Sequence, residues 1–448
     1  MTQDPARLAH ALIDAAQKAG ADAADALATS GRSVSIDVLD GALEQAERSE
    51  GIDIGLRVFL GQRSAIVSSS DASDATIATM AERAVAMARE APEDAFAGLA
   101  DPDQLTTATD VAALELSDPS AEPTAEALKA DALAVEAAAR AVDGVTQVQG
   151  AAAGYGVTDI HLAASNGFSA GYRRTSRSLS CVAIAGEGTG MERDYDGDAR
   201  TFQSDLRDAI EIGRMAGERA VARLDARKPQ TGHFPVLFDE RISSSLIGHL
   251  LAAANGASVA RGSSWLKDAL GEQVLPAGLS VMEDPHRPRV SGSRPFDAEG
   301  LPTAKRAIIE DGVLTGWTLD LASARKLGLT STGNAARGVS SGPSPSNWNI
   351  ELTLGRSSRD DMIKDMGTGL LVTSMIGATI NPNTGDYSRG ASGFWIEKGE
   401  IAYPVNECTV AGNLRDMLSR IQPANDARPW LSRVVPSLMI DGLTLAGQ

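Results

Sequence analysis

One order of elements occurs twice within the first 230 residues: a helical segment, a run of strands in which apolar and polar residues alternate, and a second helical segment. Alternation at a period of two collects apolar side chains on one face of a sheet, and apolar residues three and four apart line one face of a helix. Each unit therefore reads as helices layered on a sheet. In the first, "PARLAHALIDAAQKAG" places Leu8, Leu12 and Ala16 on one helical face, with Gly20 as the stop. Val34, Ile36 and Val38 then alternate with polar residues, "LDGA" supplies a tight turn, and Ile52, Ile54, Leu56, Val58 and Leu60 alternate along the next strand. "SAIVSS" makes a third strand, and Ile77, Met80, Ala84 and Met87 form the stripe of the closing helix. The second unit begins with the helix "EALKADALAVEAAARAV" and continues through alternating strands from Val145 to Gly188, joined by glycine and asparagine turns. In its closing helix Leu206, Ile210, Gly213, Gly217, Ala220, Val221 and Leu224 share a small-residue face suited to close packing on a sheet.

Between the units lies an acidic, proline-punctuated stretch with weak periodicity, the composition of a connector. From residue 231 onward the chain is strand-rich. "AIIEDGVLTGW" and "FWIEKGEIAYPV" each pair two apolar-alternating runs across a turn ending in glycine, and the glycine- and serine-rich loop "GLTSTGNAARGVSSGPSPSN" lies between them. The expected fold is α+β: an N-terminal module over 1–95, a connector over 96–122, a second module over 123–230 and a strand-rich domain over 231–448. The last should carry a curved, barrel-like antiparallel sheet.

Charge and cysteine usage narrow the function. A formal net charge of −18 without a basic block interleaved with aromatics disfavours nucleic acid as a direct ligand. Two cysteines, Cys181 and Cys408, far apart and without CxxC, exclude a disulfide scaffold and a cysteine-rich zinc site. No window approaches the ~18 apolar residues of a membrane-spanning helix, and no signal peptide is evident, so a cytoplasmic location is expected. Aromatics make up only 4% of residues, so the core should be built from small aliphatic side chains.

Two stretches concentrate chemistry. In "VLFDERISSSLIGHL" an apolar strand ends at adjacent carboxylates, Asp239 and Glu240, and passes into a helix. Adjacent side chains diverge, so the two do not form a carboxylate pair by themselves; Asp239 has the character of a helix N-cap. The five histidines are scattered, and local sequence supplies no metal site. In "NPNTGDYSRGASGFW", Asn383, Thr384, Gly385, Asp386, Ser388 and Arg389 crowd donors, acceptors and flexible backbone before a strand. That stretch reads either as a tight turn in which Asp386 pairs with Arg389, or as a loop that binds peptide backbone or a subunit.

"NPNTGDYSRGASGFWIEKGEIAYPVNECTVAGNLRDML", "ARKLGLTSTGNAARG" and "GSRPFDAEGLPTAKRAIIEDGVLTGW" resemble the TldD/PmbA family, also named for modulation of DNA gyrase, and within it the PmbA branch, also called TldE. The resemblance implies a cytosolic proteolytic system in which a TldD subunit and a TldE subunit enclose a chamber. It degrades unfolded peptides, matures peptide antibiotics and removes an antitoxin. The TldD branch carries zinc on an HExxxH helix, with a cysteine nearer the C-terminus. Set against that motif, Asp239 stands at the first histidine, Glu240 at the glutamate and Ser244 at the second histidine, and "NDARPWLSRVVPSLMIDGL" contains no cysteine.

The resemblance thus implies no catalytic residue and no metal in this chain, with zinc expected in a TldD-like partner. Asn334, Arg337, Thr384, Gly385, Asp386, Ser388 and Arg389 become the candidates for peptide or interface contacts, through strand addition that reads backbone more than side chains. Expected partners are a TldD-like subunit or a second copy of the chain, and unfolded peptides. A homodimeric peptide-binding protein without proteolytic activity is the alternative, and a hydrolase acting through Asp239 and Glu240 is the weakest reading.

Overall fold

The computed structural model describes residues 4–447, save the side chains of residues 378 and 379. The two N-terminal units share one sheet. Helix α1 (Pro5–Lys18) leads to β1 (Ala23–Leu39), β2 (Ala42–Leu60), β3 (Arg63–Ser69) and helix α2 (Asp74–Glu90). The second unit contributes α3 (Ala125–Arg140), β4 (Val145–Ala164), β5 (Ser169–Ala185), β6 (Glu192–Arg200) and α4 (Ala209–Val221). The strands order as β3-β2-β1-β4-β5-β6, all antiparallel, with β1 running beside β4 from Asp25↔Ala164 to Val38↔Ala151. The strand run from Val145 to Gly188 resolves into two long strands turning at Asn166-Gly167, where Gly167 takes φ +101°. The "LDGA" turn places Asp40 and Gly41 both at positive φ, the type I′ geometry that matches strand twist.

Leu8, Leu12 and Ala16 are fully buried, as are Ile54, Leu56 and Val58. Two expected stripes differ. Met87 is 44% exposed, and α2 instead buries Val85 and Ala88, because its apolar face turns by about a residue along the helix. In α4, Ile210 points outward, and the small-residue face seats on α3 as well as on the sheet: a Cβ at Gly213 would lie 2.0 Å from the Val135 carbonyl oxygen, and one at Gly217 2.8 Å from Val142. Glycine here permits helix–helix contact closer than any side chain would allow.

The C-terminal part begins with β7 (Gly232–Phe238), α5 (Glu240–Ala253) and, further on, α6 (Arg359–Met366). Strands β8 (Gly369–Ile380), β9 (Asp386–Glu397), β10 (Glu400–Asn413) and β11 (Leu438–Ala446) close with β7 into a five-stranded barrel, since β11 pairs with both β7 and β10. The barrel is antiparallel except for β7 and β8, which run parallel from Leu370↔Val236 to Val372↔Phe238. Leu246, Ile247 and Leu250 of α5 are fully buried in one core with Trp395, Tyr387 and Val372. Each such aliphatic side chain contributes about 1.5–3 kcal/mol, which fixes α5 against the barrel strands. Beside it, short strands at Val281–Glu283, Arg306–Glu310, Val313–Leu314, Ile350–Leu352 and Arg433–Val434 form a second sheet.

The connector is tied down on the C-terminal part. The Arg325 guanidinium donates to the carbonyls of Phe96, Gly98 and Leu99, and the Thr106 amide donates to the Gly300 carbonyl. The loop at 334–339 reaches the large sheet, so closely that a Cβ at Gly55 would lie 2.0 Å from the Val339 carbonyl oxygen. Among the described residues no helix is long and apolar enough to cross a membrane.

Candidate functional site

At the junction of β7 and α5, Asp239 is the N-cap: its Oδ1 accepts from the Arg241 amide at 3.1 Å, and its side chain is 5% exposed. That burial obliges the carboxylate to find cations, and it has two. Arg241 Nε lies 3.3 Å from Oδ1, and Arg359 Nη1 of α6 donates to Oδ2 at 3.1 Å. Arg241 also reaches Asp194 of β6 at 3.0 Å, so one guanidinium ties the helix terminus to the large sheet. Glu240 Oε2 accepts from Arg428 Nε at 2.7 Å; burial pushes the Glu240 carboxyl above its ordinary value, with Arg428 opposing.

Asp239 and Glu240 thus face different guanidinium groups, as adjacent residues must. Ser244 lies one turn along α5 and is half-buried. Among the described residues no group of three or more His, Cys, Asp or Glu is placed to hold a metal. The arrangement is a network of ion pairs in which Arg241 and Arg359 take both oxygens of Asp239 and Arg428 takes Oε2 of Glu240. Arg428 also lines a groove of about 810 Å³ between the β5–β6 face and the 428–432 loop, where Arg200 stacks 4.5 Å from the Trp430 ring centroid. The motif position therefore opens onto a groove through a side chain that the linear sequence places 188 residues away.

The other candidates fall in two separate places. Asn334 is 1% exposed and donates to Glu283 Oε1 at 3.0 Å and the Ser346 carbonyl at 2.9 Å, completing the shell of a buried carboxylate that also binds Arg306 at 2.7 Å. Arg337 has a fully buried side chain that donates through Nη1 to Asp25 of β1, which also accepts from Arg57 of β2. Burial pushes the Asp25 carboxyl up, but Arg337 and Arg57 together hold it below the usual range. Thr384, Gly385, Asp386, Ser388 and Arg389 form the tip and start of the β8–β9 hairpin. Asp386 accepts from Thr384 Oγ1 at 2.6 Å and from Asn413 Nδ2 at 3.1 Å, while Arg389 donates to the Gly377 carbonyl at 2.7 Å. The Asp386–Arg389 pair of the tight-turn reading is not formed: the two residues bond to opposite neighbours of β9, Asn413 on β10 and Gly377 on β8.

Neither cysteine has nucleophile character. Burial raises the Cys181 thiol to about 12 and the Cys408 thiol to about 11. His249 lies on α5 against Tyr387, at 6.0 Å between ring centroids, and burial depresses its pKa. Two of the scattered histidines are brought together: Ser169 Oγ sits 2.9 Å from both His161 Nε2 and His10 Nε2. Arg241, Arg359 and Arg428 were missed by sequence reasoning, although Arg241, two residues after the N-cap, was the one detectable locally.

Three successive family models cover the chain: PmbA/TldA metallopeptidase domain 1 over residues 24–88, the central domain over 118–224 and the C-terminal domain over 231–447. The chain belongs to the TldD/PmbA family, in its PmbA or TldE branch. It is 39% identical to Metalloprotease PmbA of Escherichia coli O157:H7 over 95% of this chain and 93% of that one, and 36% identical to a Haemophilus influenzae PmbA homologue over 97% and 94%. A solved structure from Bacteroides thetaiotaomicron, of a protein proposed to modulate DNA gyrase, matches with TM-score 0.92 at 28% identity over the whole of both chains. TldE from Thermococcus kodakarensis has the same fold, with TM-score 0.84 at 22% identity over 98% and 100%.

Proposed function

We propose that this chain is the PmbA/TldE-type subunit of a peptidase complex, which supplies chamber wall and peptide contacts while a TldD-like partner holds the zinc. The observation that carries this reading is the state of Asp239 and Glu240. At the position of the family's zinc motif, both carboxylates are taken by Arg241, Arg359 and Arg428. Zinc favours imidazole, thiolate and carboxylate donors with one open position, and three guanidinium groups repel a dication. The donor set therefore does not fit zinc, and Glu240 has no metal-bound water to deprotonate.

The β8–β9 hairpin tip is the contact surface in this reading. Thr384 and Asp386 present exposed polar side chains there, Gly385 is buried beneath them, and Ser388 and Arg389 follow, partly exposed, along β9. Because β8 and β10 pair β9 on both sides, the tip meets a peptide or a partner through its exposed side chains rather than by strand addition. Asn334 and Arg337 act from within, holding the 334–339 loop between the two halves of the chain.

Co-expression with a TldD-like subunit tests the reading. It expects a heteromeric complex by size exclusion and light scattering, with cleavage of an unfolded peptide that exceeds that of either chain alone. A stable homodimer that binds peptide and ignores the TldD-like chain contradicts it and favours a peptide-binding protein.

A further inference from the structure

Behind the 334–339 loop, between the large sheet and the C-terminal part, lies a cavity of about 310 Å³. That is the lower end of the ~300–1,000 Å³ range of small-molecule sites. Its floor is apolar, from Leu27 of β1 and Ile160 and Leu162 of β4, and its walls are the rings of Tyr172, Phe296 and Trp348. Phe296 meets Tyr172 edge to face at 5.6 Å between centroids, which makes the wall rigid.

Two arginines line this apolar space. Arg337 uses Nη1 for Asp25, but its Nε and Nη2 are buried without a hydrogen-bond partner, and its side chain is 0% exposed. Nε and Nη2 form one edge of the guanidinium plane, the fork that takes a carboxylate through two parallel bonds. Arg294 stacks 4.6 Å from the Trp348 centroid, donates Nη1 to Tyr172 Oη at 3.2 Å and leaves its own Nε unpartnered. No carboxylate on the wall answers them. Asp25 is shared between Arg57 and Arg337, and Asp297 turns its oxygens to the amides of Glu299, Leu301 and Ala335 at 2.9, 2.9 and 3.0 Å. A buried guanidinium edge left unpaired is destabilising, so the edge calls for an anionic acceptor.

We propose that this cavity binds a small monocarboxylate with an apolar or aromatic body, its carboxylate on the Nε–Nη2 edge of Arg337 and its side chain against Phe296 and Trp348. Such a carboxylate is carried by the C-terminal residue of a peptide or by a free N-acylated amino acid. The site is separate from the ion pairs at Asp239 and Glu240, and it stands whether or not the chain works inside a peptidase.

The test is calorimetric titration of the full chain with N-acetyl-phenylalanine, with its amide as the carboxylate-free control and with a tripeptide ending in phenylalanine. Binding of the acid, at least tenfold weaker binding of the amide, and at least tenfold loss in Arg337→Lys are expected. Lysine keeps a charge beside Asp25 but lacks the two-point edge. Arg294→Gln, a second variant that leaves the Asp25 ion pairs intact, should also weaken the acid several-fold. Tighter binding of the tripeptide assigns the carboxylate to a peptide C-terminus, and tighter binding of the N-acetyl acid assigns it to a free small molecule. Equal affinity for acid and amide, undiminished affinity in a folded Arg337→Lys, or no binding of either acid overturns the proposal.

Discussion

The N-terminus of α5 and the buried face of the 334–339 loop both bring carboxylates and guanidinium groups out of water, and they settle the account in opposite ways. At α5, three guanidinium groups, Arg241, Arg359 and Arg428, face the two carboxylates of Asp239 and Glu240, so the charge there is already answered. At the loop, Asp25 alone serves Arg57 and Arg337, and one guanidinium edge of Arg337, a residue that lines an apolar cavity, has no partner. A saturated network holds two parts of a chain together and is inert toward ligands; an unsaturated one in a cavity is a receptor for the missing charge.

The largest effect should come from Asp25→Ala. It strands two buried guanidinium groups where β1, β2 and the loop meet, and should lower unfolding free energy by about 3–5 kcal/mol in denaturant titration. A loss below about 1 kcal/mol would mean that the pairs are solvated and that the contrast with α5 is illusory. Next is Arg428→Ala, which leaves Glu240 without its partner in a largely buried place and should cost about 1–3 kcal/mol. Adding Glu240→Gln to that variant should recover part of the loss, since the uncompensated charge is then gone. Gly55→Ala should cost a similar ~1–3 kcal/mol, because its methyl group collides with the Val339 backbone; an unchanged midpoint would show that the loop does not pack on β2 as described.

The pH dependence sharpens the comparison further. Burial, and then the neighbouring Asp297 charge, push Glu299 from its ordinary 4.5 to about 8. Folded chains therefore hold a proton that unfolded chains have lost across this window, so stability falls as pH rises from about 4.5 to about 8. Asp25 acts with the opposite sign, through a carboxyl held low: its contribution is full above its unfolded value near 3.8 and is lost as pH falls below that through the lower folded value. Denaturant midpoints of Glu299→Gln should accordingly decline less between pH 5 and pH 8 than those of the parent chain, with the remaining slope partly from Asp297, raised to about 6. The smallest effect belongs to Arg389→Ala, which loses one bond to the Gly377 carbonyl and should change stability by about 0.5 kcal/mol or less. If the hairpin tip is the contact surface, the same variant weakens association with a TldD-like chain.

How far these features were legible in the sequence follows from how local their causes are. The α1 face, the alternation of β1 and β2 and the Asp40-Gly41, Asp311-Gly312 and Lys398-Gly399 turns depend on neighbours within a few residues, and they are found where the pattern placed them. The Asp239 cap is of the same kind. Met87 and Ile210 were misplaced because a stripe of apolar residues does not say which of two adjacent faces the tertiary partner covers. The second unit's small-residue face lies against α3, a choice made by helix–helix distance rather than by periodicity. Least legible were the charges: Arg337 meets Asp25 across 312 positions and Arg428 meets Glu240 across 188, and no spacing rule reaches that far.

The most direct measurement of the central claim is the zinc content of this chain purified alone, by elemental analysis after mild chelation. The ion-paired terminus predicts well below one zinc per chain. A tightly held ion close to one per chain would contradict the account, because Asp239 and Glu240 would then have to exchange their guanidinium partners for a metal.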